Sequence, residues 1–274
     1  MQPRSTSATV RTLDGLHLAG TLTSPASAPS HAVLLVHGAG VTREEGGFFT
    51  RLADGLAGAG VTSLRFDLPG HGTSEGRQED LTLSSMLNVI RSGLDHLRGL
   101  AELSSVSLVA ASFSGGVAAY YAAKMPAEVS RLVLFNPLID YKKRFVDEKR
   151  AWEGGQISEK AGQQLLEQGF VGHSPTFKLG RPMLNEVFWL QPRATLGDVA
   201  APTLIVHGTE DTFIPVESSR AADSQLTCEH QLIELEGAQH GFAVHDDPEY
   251  ADPQSQQWQA SVIAAVTQWV TTHR

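Results

Sequence analysis

Cysteine is nearly absent from this chain: Cys228 stands alone, so no internal disulfide can form and the fold must rest on an apolar core. Positive charge is scarce as well. Lys and Arg number 21 against 30 Asp and Glu, a formal net charge of −9, which excludes the clustered basic surface that a nucleic-acid backbone or an anionic membrane rewards. No run of about 18 apolar residues is available to span a bilayer, and Met1 to Thr9 has no apolar core of the signal-peptide kind. Internal repeats and low-complexity segments are also missing. These absences lead us to expect a cytoplasmic protein whose partner is a small-molecule substrate, with no nucleic acid and no membrane involved and a homo-oligomer as the one assembly allowed for. What remains is ordinary globular composition, 41% hydrophobic and 19% charged over 274 residues, enough for one core with one insertion.

Strand-like and helix-like segments alternate along most of the chain, the pattern of a mostly parallel central sheet flanked by helices on both faces. Thr9 to Leu13 and Leu16 to Leu22, joined at Asp14-Gly15, read as an opening antiparallel hairpin. Ala32 to Val36 is a continuous apolar strand of the doubly covered kind. A helix from Phe48 to Ala59, a strand Val61 to Phe66, a helix Leu81 to Leu97, a strand Val106 to Ala110 and a helix Gly115 to Lys124 follow, and strand Leu132 to Phe135 stops at Asn136-Pro137. The rhythm then fails until about Thr195, giving way to helical and irregular polar stretches. It resumes with strand Thr203 to Val206, a helix Val216 to Gln225, strand Gln231 to Leu235 and a helix from Ser255 to Val270. The expected organisation is a core of residues 1–136 and 196–274 with an inserted cap over 137–195.

Three segments carry chemistry. Val106 to Gly116 is a strand, a turn crowded with small residues, and a helix start, the setting in which a nucleophilic serine sits on a sharp elbow. Ser112 follows the strand at the usual distance, while Ser114 fits the same small-x-Ser-x-small pattern two residues later. Ala110 and Ser114 occupy the positions usually held by glycine. An elbow of this type draws its oxyanion donors from the residue after the nucleophile and from the loop after an earlier strand, which nominates the N–H groups of Phe113 and, in His37-Gly38-Ala39-Gly40, of Ala39. After strand Thr203 to Val206, Asp211 lies on a turn at the carboxyl end of the sheet, with Glu210 and Asp140 as competitors for the role of orienting acid. His240 follows the next strand on a loop of small residues. Nucleophile, acid and histidine thus occur in that order, each just past an expected core strand.

At these residues the chain resembles the α/β-hydrolase superfamily over essentially its full length. The resemblance extends to Arg65-Phe66-Asp67-Leu68-Pro69-Gly70-His71-Gly72-Thr73-Ser74, and His207-Gly208-x-x-Asp211 with Gly237-Ala238-x-His240-x-Phe242 is most similar to capped serine esterases of the cinnamoyl and feruloyl type. It implies a catalytic triad of Ser112, Asp211 and His240, an oxyanion hole at Ala39 and Phe113, hydrolysis of a carboxylic ester through an acyl-enzyme, and no cofactor or metal. A serine at the elbow speaks against the superfamily members that use a carboxylate nucleophile. The same triad would also serve a thioesterase, an amidase or a carbon–carbon bond hydrolase, and the fold alone would serve a non-catalytic ligand-binding protein.

Seven of the 19 aromatic residues fall in the expected cap. Trp152, Phe170 and Trp189 are the candidates for binding an apolar or aromatic acyl group, with a small core of the cap's own as the alternative use of its aromatics. The charged run from Lys142 to Arg150 places Lys143 four residues before Asp147 and Arg144 four before Glu148, which reads as a solvated helix face.

Overall fold

The computed structural model describes residues 3–26, 29, 31–100, 103 and 105–272. The chain opens with an antiparallel hairpin, β1 (Arg4–Arg11) and β2 (His17–Ser24). Alternating elements follow: β3 (His31–Val36), α1 (Phe48–Gly58), β4 (Thr62–Phe66), α2 (Leu83–Arg98), β5 (Ser105–Ala111), α3 (Phe113–Lys124) and β6 (Leu132–Phe135). Next come β7 (Trp152–Glu153), β8 (Gln156–Ile157), α4 (Glu159–Gln168), β9 (Phe170–Ser174), β10 (Phe177–Gly180) and α5 (Arg181–Glu186). The chain closes with β11 (Thr203–Gly208), α6 (Glu217–Asp223), β12 (His230–Leu235) and α7 (Pro253–Thr271).

Eight strands form one sheet in the order β1-β2-β4-β3-β5-β6-β11-β12, antiparallel at β1-β2 and β2-β4 and parallel from β4 onward. Period-two alternation divides each central strand between two cores. Leu34, Val36, Leu108 and Ala110 face the layer that includes α2 and α3, while Val33, Leu35, Val109 and Val133 face α1 and α7. Burial on both faces is why these strands read as unbroken apolar runs. Strand β3 connects through α1 to its neighbour on one side and β5 connects through α3 to its neighbour on the other. The crevice between their carboxyl ends is therefore a topological switch point, where open α/β sheets bind ligands.

The connection from β6 to β11 adds no strand to the main sheet. It contains two small antiparallel pairs, β7 with β8 and β9 with β10, where the sequence suggested only helical and irregular stretches. Strands of two residues are too short to display a period, and the turn between β7 and β8 is made by Gly154 and Gly155, both at positive φ. The charged run also differs from expectation. Lys143–Asp147 is a π-helical turn, and its wider closure moves partners from four residues to five: Lys142 meets Asp147 at 2.6 Å and Lys143 meets Glu148 at 3.7 Å. Arg144 keeps Glu148, at 4.0 Å. Among the described residues, no helix is long and apolar enough to cross a membrane.

Candidate active site

Ser112 stands between β5 and α3 with φ 50° and ψ −117°, a backbone conformation that L-residues avoid. The parallel register of β5 against β6 holds it there: the Ser112 N–H donates to the Phe135 carbonyl at 2.8 Å. Its side chain is half-buried. Ser114, two residues on, is fully buried inside α3, and its hydroxyl donates to the His37 carbonyl at 2.6 Å. That bond ties the elbow to the loop after β3 and occupies the hydroxyl. The small residue at 114 is explained by this close approach.

Asp211 and His240 come together across the ends of β11 and β12. His240 Nδ1 donates to Asp211 Oδ2 at 2.6 Å, while Asp211 Oδ1 accepts the N–H groups of Phe213 and Ile214 at 2.8 and 3.0 Å. A second imidazole, His207, lies 3.3 Å from the same Oδ2. Burial by itself would raise the Asp211 pKa, but the hydrogen bonds from His207 and His240, the charge of His240 and the Ile214 N–H outweigh it. The carboxyl is held well below its ordinary range, and so is an anion. Neither rival acid reaches His240: Glu210 is exposed, and Asp140 caps the Lys143 N–H and pairs with Arg193 at 3.3 Å.

The loop carrying His240 is fixed from below by polar residues of α7 that are wholly buried. Gln259 donates to the Gly241 carbonyl at 2.9 Å and Ser255 accepts the Val244 N–H at 3.0 Å. Gly208 closes β11, and any side chain there would collide with the Ala238 carbonyl as the histidine loop crosses. These features were invisible to sequence pattern. Gln259 and Ser255 are simply polar positions in an amphipathic helix until their partners are known.

Two buried histidines shape the loop after β3. His37 accepts the Leu68 N–H on Nε2 at 2.9 Å, so its Nδ1 donates to the Gly38 carbonyl at 2.7 Å. His71 accepts the Gly40 N–H at 3.1 Å and donates to the Pro69 carbonyl at 3.0 Å. Among the described residues neither the Ala39 N–H nor the Phe113 N–H has a hydrogen-bond partner. Phe113 directly follows Ser112, and Gly38, the neighbour of Ala39, approaches the serine so closely that a Cβ on it would lie 3.1 Å from Ser112 Cβ.

Ser112 and His240 line one cleft of about 30 Å³, together with Glu45, Phe48, Ala111, Phe135, Asn136, Gly241, Phe242 and Tyr250. Six non-glycine residues among those described have positive φ, and five of them, Glu45, Ser112, Asn136, Phe242 and Tyr250, line this cleft. Burial pushes the Glu45 pKa up, opposed by its hydrogen bond from Gly38 and by His240. Glu45 and Tyr250 carry none of the usual marks of a functional residue in sequence; the one available signal was the turn-forming Gly46-Gly47 that follows the acid.

The cap aromatics named from sequence lie elsewhere. Trp189 is 87% exposed, Trp152 packs its ring 5.6 Å from Phe188, and Phe170 sits under the Lys178 ammonium at 4.5 Å. None of the three lines the cleft with Ser112 and His240. Tyr141, Phe145 and Phe177 instead pack around Phe113, with ring centroids 5.2–6.2 Å from it, and all three are buried. The exposed aromatic nearest the histidine is Phe213, whose ring lies 5.3 Å from His240 and which is 60% exposed. It borders a groove of about 60 Å³ with Leu138, Ile139, Ile214 and Pro215. Among the described residues there is no grouping of three or more His, Cys, Asp or Glu able to hold a metal ion.

Comparison with known proteins agrees with this architecture. A monoacylglycerol lipase of Mycolicibacterium smegmatis is 25% identical over 94% of this chain and 94% of its own. An uncharacterized protein of Mycobacterium tuberculosis is 26% identical, over 79% of this chain and 72% of its own. Among solved structures, Est1E from Butyrivibrio proteoclasticus with ferulic acid bound superposes with a TM-score of 0.77 at 21% identity, covering 97% of this chain and 100% of that one. The sequence model of the alpha/beta hydrolase family matches residues 33–252, from β3 to the loop before α7, and the chain belongs to that family.

Proposed function

We propose that the protein is a serine hydrolase that cleaves carboxylic esters through an acyl-enzyme. The observation that carries this reading is Ser112, on a strained turn, sharing a cleft with a histidine whose other nitrogen is bound to a buried, anionic Asp211. His240 takes the Ser112 proton as Oγ attacks the ester carbonyl carbon; the oxyanion accepts the N–H groups of Ala39 and Phe113; and collapse expels the alcohol with the proton from His240. Water then repeats the sequence on the acyl-enzyme. Asp211 holds the histidine in the tautomer with Nδ1 protonated and stabilises the imidazolium.

The ester preference is supported by the relative named monoacylglycerol lipase. An apolar or aromatic acyl group is the favoured element, resting on Phe213 beside His240 and on the groove it borders with Leu138 and Ile214. Residues 137–195 act as a cap: their first turn brings Lys143 and Arg144 to the rim of that same groove. The test is covalent labelling with a fluorophosphonate, which should modify wild-type protein and spare Ser112→Ala, while that variant loses roughly 10⁴- to 10⁶-fold in turnover of nitrophenyl esters. A wild-type protein that resists labelling would be a ligand-binding member of its family and the proposal would fall.

A further inference from the structure

We infer that Glu45 holds the water that cleaves the acyl-enzyme, so that it serves deacylation and not acylation. This rests on the reading of Ser112 and His240 just given. The cleft beside them has about 30 Å³ of space. That is room for one or two waters, since roughly 10–15 Å³ admits one, provided polar partners are present. Glu45 supplies such a partner. Its Oε1 accepts the Gly38 N–H, while Oε2 has no hydrogen-bond partner among the described residues. The carboxyl and the nucleophile flank the same peptide: a Cβ placed on Gly38 would lie 3.3 Å from Glu45 Oε1 and 3.6 Å from Ser112 Oγ.

The backbone is bent to bring the acid there. Glu45, Gly46 and Gly47 have φ of 44°, 61° and 90°, three successive left-handed residues of which only the last two are glycines. A glutamate in that region carries strain, and strain of this kind survives where the surroundings over-determine it, most often at functional sites. Tyr250, at φ 51° and also lining the cleft, lays its ring against the backbone of Gly46 and Gly241.

In deacylation the water passes one proton to His240 and directs its other O–H at Glu45, which accepts a hydrogen bond and exchanges no proton. The water oxygen bonds to the acyl carbon, the bond from that carbon to Ser112 Oγ breaks, and Oγ takes the proton from His240. Acylation uses no water. Both steps use the Ala39 N–H, so a Glu45 that merely braced the loop after β3 would slow both alike.

Burst kinetics with 4-nitrophenyl acetate separate the two roles. Glu45→Gln leaves one acceptor oxygen, which the Gly38 N–H occupies, and Glu45→Asp withdraws the carboxylate by one methylene. In both, the burst rate and kcat/KM should stay within about 2-fold of wild type while the rate after the burst and kcat fall about 10- to 100-fold, KM falling in proportion. Fluorophosphonate labelling should continue at the wild-type rate. Burst and steady-state rates that fall together, or that both hold, overturn the inference, as does loss of labelling in both variants. Failure of the wild-type protein itself to label defeats the serine reading instead.

Discussion

Lowering the pH from 7 to 4.5 should destabilise the fold by close to 3 kcal/mol through His37 alone. The ring is fully buried, and burial, followed by the charge of His71, brings its pKa from 6.5 to about 3 against the opposing pull of the Gly38 carbonyl and Asp67. The geometry gives the reason. Nδ1 already donates to the Gly38 carbonyl and Nε2 accepts the Leu68 N–H, so a second proton must displace a backbone donor. In the unfolded chain the ring titrates near 6.5, and between there and about 3 the unfolded state binds the extra proton. Stability is therefore lost as pH falls through 6.5, at about 1.36 kcal/mol per unit, which over the two units to pH 4.5 is about 2.7 kcal/mol. Urea unfolding of wild type and His37→Asn at both pH values isolates the effect, because carboxylates that titrate in both proteins cancel in the difference. The variant should be less stable by about 2–3 kcal/mol at pH 7, having weakened two buried hydrogen bonds, and nearly equal to wild type at pH 4.5. A stability gap that is the same at both pH values would refute the argument.

Asp211→Asn should fold normally yet lose up to about 10⁴-fold in kcat for a nitrophenyl ester, since the histidine would be held in the wrong tautomer; activity within 10-fold of wild type would remove Asp211 from its role. Ser114→Ala strands the buried His37 carbonyl and should cost about 1–3 kcal/mol in urea unfolding, with fluorophosphonate still labelling Ser112. Phe213→Ala should lower kcat/KM for bulky acyl esters by about 1–3 kcal/mol and leave acetyl esters and melting temperature little changed, because the ring is largely exposed beside His240. Trp189→Ala, at a side chain 87% exposed and away from the cleft, should alter neither selectivity nor stability beyond about 0.5 kcal/mol.

The central strands of the main sheet were legible because both of their faces are buried. Val33 to Val36 and Val106 to Ala110 are apolar at every position except Ser107, and the ends of such strands pointed to the segments that carry the candidate residues: Ser112 is the first residue after β5, Asp211 the third after β11 and His240 the fifth after β12. The insertion was less legible for a matching reason. Its strands run from two to five residues, and its aromatics are divided between a buried set around Phe113 and exposed ones such as Trp189. Aromatic content alone does not distinguish these environments. Choosing Trp152, Phe170 and Trp189 from the aromatics of the insertion passed over Phe213, which lies two residues after Asp211 in a segment otherwise read for its acid.

The hardest feature to see in sequence is the strain that surrounds the cleft. Positive φ announces itself through glycine and, less strongly, asparagine. Here, Gly241 aside, the residues that adopt it around the cleft are Glu45, Ser112, Asn136, Phe242 and Tyr250, of which only Asn136 is of a type that favours it. Each of the others costs of the order of 1–3 kcal/mol unless neighbours compensate. The compensation is visible: Phe242 is wholly buried with its ring 5.5 Å from Phe135, and Ser112 is bonded through its N–H to Phe135. Packing formed by residues distant in the chain therefore stabilises a local geometry that the local residues disfavour. A strained residue whose side chain then pointed into the core could be explained by packing alone. Glu45 instead lines the cleft with one carboxyl oxygen tied to the Gly38 N–H and the other without a hydrogen-bond partner among the described residues, and packing gives no reason for that.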